Sequence, residues 1–210
     1  PRRLKEEMDA VLEAVEKGEL PEEEINAKCR KVLTYKYILG LERKPFVKLS
    51  GLGTRINTPQ TRDLISRLNL AAITVLNNKN DVLPLHPDLK EAAILNVGKP
   101  EEIEPFDRKM KKYTSFARFQ LRKDLPEAEQ QKLRDSLAAY RRVIVTVTEQ
   151  RLAPYQSFFA KFAPESPVIY VFYTPAKSML QIQRAVSAAE AVVLAHASRD
   201  DVQERVADLL

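Results

Sequence analysis

The chain has 210 residues, with 34 Lys and Arg against 29 Asp and Glu, two His, one Cys, five Gly and no Trp. An apolar content of 44% is enough to fill a core and excludes global disorder. A single cysteine excludes an intrachain disulfide framework and any multi-cysteine metal site, and two histidines leave little for a His-rich one. The net charge of +5 is spread thinly, so no segment has the clustered basic residues that nucleic-acid binding demands. Arg108-Lys109-Met110-Lys111-Lys112 is the densest basic run, but it follows Glu101, Glu102, Glu104 and Asp107 and reads as a solvated helical face with local ion pairs. None of the glycine motifs GxGxxG, GxxxxGK(S/T) or GxSxG is present. No apolar run is long enough to span a membrane. The start at Pro1-Arg2-Arg3, without an initiator Met or a signal peptide, is expected of a piece of a longer polypeptide.

Leu4, Met8, Val11, Leu12 and Val15 have helical spacing, with Gly18 as the stop. Pro21 opens a second helix, and Glu22, Glu23 and Glu24 suit the positive end of its dipole. Its predicted buried stripe is Ile25, Cys29, Val32 and Leu33, which makes Cys29 a core thiol rather than a nucleophile. Residues 1–41 thus read as a helical hairpin that must dock on something, and 42–58 as an extended linker. Asn57-Thr58-Pro59 supplies a cap and first-turn proline for a helix with Leu64, Ile65 and Leu68 inward.

Residues 73–76, 92–97, 115–121, 143–147, 168–172 and 191–195 read as strands. Helices are predicted near 101–112, 126–139, 152–162, 176–188 and 200–210, the last capped by Asp200. Strands apolar on both faces and separated by helices mean a mainly parallel sheet covered on both sides. The expected fold class is α/β: a three-layer α/β/α sandwich over 59–210, preceded by the hairpin and the linker. Tyr155, Phe158, Phe159 and Phe162 recur at helical spacing and read as core or a docking face.

Ligands of such sheets usually bind outside the carboxyl ends of the strands. Glu149 and His196 are the ionisable residues there, and acid–base work needs a carboxyl or imidazole of this kind in a pocket. Either residue equally serves a plain structural role, satisfying loop backbone or capping the next helix. His86, in Leu85-His86-Pro87, reads as a solvated turn residue. No metal site and no cofactor is expected.

Two stretches carry a family resemblance. Ile25, Arg30-Lys31-Val32-Leu33, Lys36-Tyr37 and Leu39-Gly40-Leu41 form one. Asn57-Thr58-Pro59, Ala71-Ala72, Ile73 to Asn78 and Val82-Leu83-Pro84-Leu85 form the other. In order and spacing, together with Tyr173-Thr174-Pro175, Asp201-Val202-Gln203 and Ala207 to Leu210, they resemble glycoside hydrolase family 3, specifically its bacterial β-N-acetylhexosaminidase branch. The resemblance implies that residues 1–41 are the last helices of a (β/α)8 barrel whose catalytic part lies outside this chain, and that 59–210 is the sandwich following it. It also implies a partner, the catalytic barrel of the same polypeptide, a carbohydrate substrate met through the full-length enzyme, and a periplasmic or extracytoplasmic bacterial location. The family's nucleophilic Asp, and the proton-donating His of this branch, belong to the barrel. Other branches place an acid/base Glu in the second domain, but no Glu here matches that motif, so no catalytic residue is carried over. The alternative is a free-standing α/β module that binds a small ligand or carbohydrate at the carboxyl edge of its sheet. The amphipathic helix in residues 1–17 separates the two, because a free module has no reason to begin with a helix whose partner is missing.

Overall fold

A computed structural model describes residues 3–43, 47–86, 92–162 and 167–210. The chain divides into two compact units, Pro1–Ile56 and Asn57–Leu210.

In the first unit, α1 (Leu4–Glu16) ends where Gly18 takes a left-handed conformation (φ 73°) and the N–H of Glu19 bonds back to Ala14 O, a turn that a side chain at residue 18 would resist. Pro21 occupies the N-cap of α2 (Glu22–Ile38), and the three glutamates that follow fill its first turn. No described side chain of either helix is buried. The stripe predicted to be buried is therefore largely open: Ile25 is half-buried, Val32 and Leu33 are exposed, and so is Cys29, contrary to the expected core thiol; Leu4 and Met8 of α1 are exposed as well. Helical spacing marks which side of a helix is apolar but does not supply the surface that covers it. The described residues of 41–58 include a 3-10 turn Leu41–Arg43 and α3 (Leu52–Ile56).

The second unit opens with α4 (Pro59–Ala71), whose N-cap Thr58 accepts the Thr61 N–H at 3.1 Å. Among the described residues six strands follow: β1 (Thr74–Asn78), β2 (Ala92–Val97), β3 (Ala117–Leu121), β4 (Arg142–Val147), β5 (Val168–Phe172) and β6 (Ala191–Leu194). They form one sheet in the order β1-β6-β5-β4-β2-β3. All neighbours are parallel except β1, which pairs antiparallel with β6. The intervening helices are α5 (Glu104–Met110), α6 (Glu127–Ala138), α7 (Gln156–Lys161), α8 (Ala176–Met179), α9 (Gln183–Ala188) and α10 (Asp200–Leu209). Three of the predicted continuous helices are broken: 3-10 turns Pro100–Ile103 and Ala153–Tyr155 precede α5 and α7, and Leu180–Ile182 separates α8 from α9.

The period-two alternation of each strand builds two cores. Val143, Val145 and Val147 of β4, with Val168, Tyr170 and Phe172 of β5, face Leu137 of α6, Phe158 and Phe159 of α7 and Val186 of α9. Ile144, Ile169, Val171 and Val193 face the other way, toward Phe106 and Met110 of α5 and Val202 and Val206 of α10. The result is a three-layer α/β/α sandwich. The β2-to-β3 connection covers one face with α5, whereas β4 to β5 to β6 runs the opposite way across the sheet and covers the other face. That joint change of direction and face is what a uniform crossover hand requires. Tyr155, Phe158, Phe159 and Phe162 are all buried, with Phe158 and Phe162 stacked at 5.2 Å between ring centroids, so this aromatic cluster is core.

Helix α4 departs from expectation. Leu64, Ile65 and Leu68 point outward, whereas Leu70 packs against the core that α10 shares. Ser66 Oγ donates to Asp201 Oδ2 at 2.5 Å. The helix is thus turned so that a hydroxyl and one leucine meet α10, and its apolar stripe is left open. Asp200 is the first residue of α10 rather than its cap: Arg199 holds the N-cap, without a side-chain cap bond, and Asp201 Oδ1 accepts the Val202 N–H at 3.0 Å. The basic run near residue 110 does not pair locally either. Arg108 meets Glu204 at 3.3 Å, and Lys109 meets Asp208 at 2.8 Å, so α5 is clamped onto α10.

Candidate ligand-binding edge

The strand order reverses between β2 and β4, and in open α/β sheets the crevice at that switch is where ligands settle. Here the crevice is narrow. Val97 O, at the end of β2, accepts the N–H groups of both Thr148 and Glu149 at 3.0 and 3.2 Å. Gly98 follows at φ 140°, and a Cβ built on it would lie 1.9 Å from Thr148 Oγ1. Only glycine lets the two loops meet so closely. Beneath them a buried polar chain crosses three strands: Thr146 Oγ1 is 3.2 Å from Asn96 Oδ1, Asn96 Nδ2 donates to Gln120 Oε1 at 2.9 Å, and Gln120 Nε2 donates to Gly98 O at 2.5 Å.

Glu149 sits at this switch point, half-buried, with Oε1 accepting the Arg151 N–H at 3.1 Å. It also faces Tyr155, whose phenol is pushed up from its ordinary value first by burial and then by the negative charges of Glu149 and Asp124. His196 lies at the end of β6, two strands away, exposed and in the left-handed region at φ 63°. No hydrogen bond or ion pair among the described residues joins the two. His86 is exposed, as expected of a surface turn.

Two cavities of the sandwich lie elsewhere. One of about 410 Å³ is lined by Lys79, Phe159, Phe162, Tyr170, Arg184 and Glu190 among others. Another of about 250 Å³ is lined by Leu85, Met110, Tyr113, Phe116, Asp208 and Leu210 among others. Neither includes Glu149 or His196. Among the described residues no group of three or more His, Cys, Asp or Glu is placed to hold a metal ion. No helix of the described residues is long and apolar enough to cross a membrane.

Buried hydroxyls without partners, at strand ends and in α8, were not legible in the sequence. Thr148 Oγ1, Tyr173 Oη, Thr174 Oγ1 and Ser178 Oγ are all buried and make no hydrogen bond. The sequence shows only polar residues where strands stop; whether a hydroxyl finds a partner depends on loops remote in sequence.

No family model matches the chain, and no curated protein matches it. Solved structures do. A fungal multi-domain glycoside hydrolase family 3 β-N-acetylglucosaminidase is 15% identical with a TM-score of 0.56, over 96% of this chain and 23% of its own. A family 3 β-N-acetylglucosaminidase from Paenibacillus is 17% identical with a TM-score of 0.55, over 98% of this chain and 40% of its own. The β-glucosidase of Listeria innocua, in complex with isofagomine, is 16% identical with a TM-score of 0.54, over 94% and 32%. The likeness is one of fold. The chain spans between 23% and 40% of the length of these glycosidases.

Proposed function

We propose that this chain is the C-terminal region of a glycoside hydrolase family 3 β-N-acetylglucosaminidase, an enzyme that removes terminal β-linked N-acetylhexosamine. The observation that carries the reading is the extent of the match. Glycosidase structures cover 94–98% of this chain, not the sandwich alone, while the chain accounts for less than half of theirs. The motifs resembling that family fall in the same order along these residues. On this reading residues 1–41 are the last helices of a catalytic barrel, 42–58 the linker, and 59–210 a sandwich that supports the barrel or walls its cleft. The barrel on the same polypeptide is the partner, the carbohydrate is met by the whole enzyme, and the enzyme works outside the bacterial cytoplasm.

Retaining hydrolysis needs two groups flanking one glycosidic bond, and the groups that would do this belong to the barrel. The 210-residue chain is therefore expected to be inert. Incubated with an aryl N-acetylglucosaminide it should release no phenol above blank, and clear turnover would overturn the reading. The longer polypeptide that encodes it should cleave the aryl N-acetylglucosaminide in preference to the matching aryl glucoside. The reverse preference would keep the family and overturn the branch.

A further inference from the structure

The cavity of about 410 Å³ lies at the amino edge of the sheet, at the other end of the strands from Glu149 and His196. Val168, which opens β5, and Glu190, which precedes β6, are among its lining residues. One wall is aromatic: Phe159 of α7 and Phe162 just after it are both buried. Another is alanine. Ala185, Ala188 and Ala189 recur at the i, i+3, i+4 spacing of one helical face, and their short side chains leave the space open. Lys79, Ala160, Arg184 and Ala188 are exposed, so the cavity opens to solvent beside them.

The polar groups of this lining have bonding capacity left over. Tyr170 is 1% exposed and lines the cavity, yet its phenol makes no hydrogen bond among the described residues. Burial alone pushes that phenol above its ordinary range, so it stays a neutral hydroxyl able to donate or accept. A buried hydroxyl without a partner is unfavourable, and the cavity it lines is where a partner can reach it. Arg184, at the mouth, makes no ion pair and no hydrogen bond among the described residues. Lys79 gives one N–H to Ser187 O at 3.1 Å and keeps the others. Among the described lining residues the carboxylate is that of Glu190, and Arg142 neutralises it at 3.3 Å. The mouth is left with an excess of positive charge.

We propose that this cavity binds a small aromatic carboxylate that carries a second polar group at the far end of its ring. The ring packs among Phe159, Phe162 and the alanines, where aromatic edges and faces meet favourably. The far group bonds the Tyr170 hydroxyl, and the carboxylate meets the Arg184 fork and Lys79 at the mouth. The volume falls within the usual small-molecule range of roughly 300–1,000 Å³. A neutral ligand leaves the cations unused, and inorganic phosphate leaves the aromatic wall and the phenol unused. The site does not rest on the glycosidase reading, which assigns nothing to the amino edge of the sheet.

The test is calorimetric titration of the 210-residue chain with para-hydroxybenzoate, benzoate, para-hydroxybenzyl alcohol and inorganic phosphate. Para-hydroxybenzoate should bind saturably and about tenfold more tightly than benzoate, which offers Tyr170 no partner. The alcohol, which has no carboxylate, and phosphate, which has no ring, should each bind at least about tenfold more weakly than para-hydroxybenzoate. Tyr170→Phe should erase the preference for para-hydroxybenzoate over benzoate. It should not lower the melting temperature, because it removes only an unpartnered hydroxyl. Arg184→Gln should weaken both carboxylates about tenfold and leave the alcohol unchanged. Arg184 is exposed, so its variant stays informative even where Tyr170→Phe fails to fold. No saturable binding of para-hydroxybenzoate would overturn the site. So would phosphate or the alcohol binding as tightly, or an Arg184→Gln chain that binds both carboxylates as the parent does.

Discussion

Gln203 shows how much one side chain settles at the scale of the residue. It is 1% exposed, and it accepts the Phe106 N–H at 3.2 Å while donating to Glu102 O at 2.8 Å and Ser198 O at 3.0 Å. One amide thus satisfies three backbone groups at the starts of α5 and α10, where helix ends leave donors and acceptors open. Gln203→Leu fills the space but strands those groups. The expected cost is about 3 kcal/mol, read as a lower urea midpoint with unchanged slope. In the sequence, Gln203 is only a polar residue in the first turns of a helix, and two of its partners, Phe106 and Glu102, are 97 and 101 positions away. Glu149 and His196 were legible as strand-end ionisable residues. The left-handed turn that lifts His196 was not, because it depends on where the chain must go after β6.

Elements were predicted more securely by type than by facing. Thr58 as cap and Pro59 at the first turn fix where α4 begins, and local chemistry is enough for that. Which side of α4 turns inward was decided by Ser66 and Leu70 meeting α10. Leu68→Lys, at a site 61% exposed, should change stability by less than about 0.5 kcal/mol. Leu70→Lys should cost about 2 kcal/mol, because it brings a charge to the core. Equal effects in urea unfolding would refute the facing of the helix. The clamp of α5 on α10 adds a pH dependence. Lys109 and Tyr113 bond to Asp208 at 2.8 and 2.7 Å and hold its carboxyl below the usual carboxylate range. A carboxyl lowered on folding contributes stability above its unfolded pKa of about 3.9 and loses it as pH falls through the lower folded value. Asp208→Asn should therefore flatten the loss of stability on acidification from pH 5 to pH 2, measured by thermal unfolding in a pH series. A slope identical to the parent's would show that the clamp carries no linkage.

Across the whole molecule, the sheet explains why so much of the architecture was readable. Runs such as Val143 to Val147 and Val168 to Phe172 are buried at every position because both of their faces are covered, as in a parallel sheet between two helical layers. The same reasoning located β2, β4, β5 and β6, whereas β3 was marked by the alternation of a half-covered strand, and the fold they build is the one shared with the glycosidase structures. The exposed stripes of α1, α2 and α4 are equally a sequence property, since amphipathic spacing is written locally. Their exposure is not, because a stripe carries no information about what covers it. By itself, then, the sequence determined element type, order and the two-faced burial of the strands, all of which follow from periodicity within a few residues. Only the tertiary structure decided the strand order, the turn of α4 and the pairing of α5 with α10. Each of these joins residues that periodicity cannot relate, and is set by register and packing between elements distant in the chain.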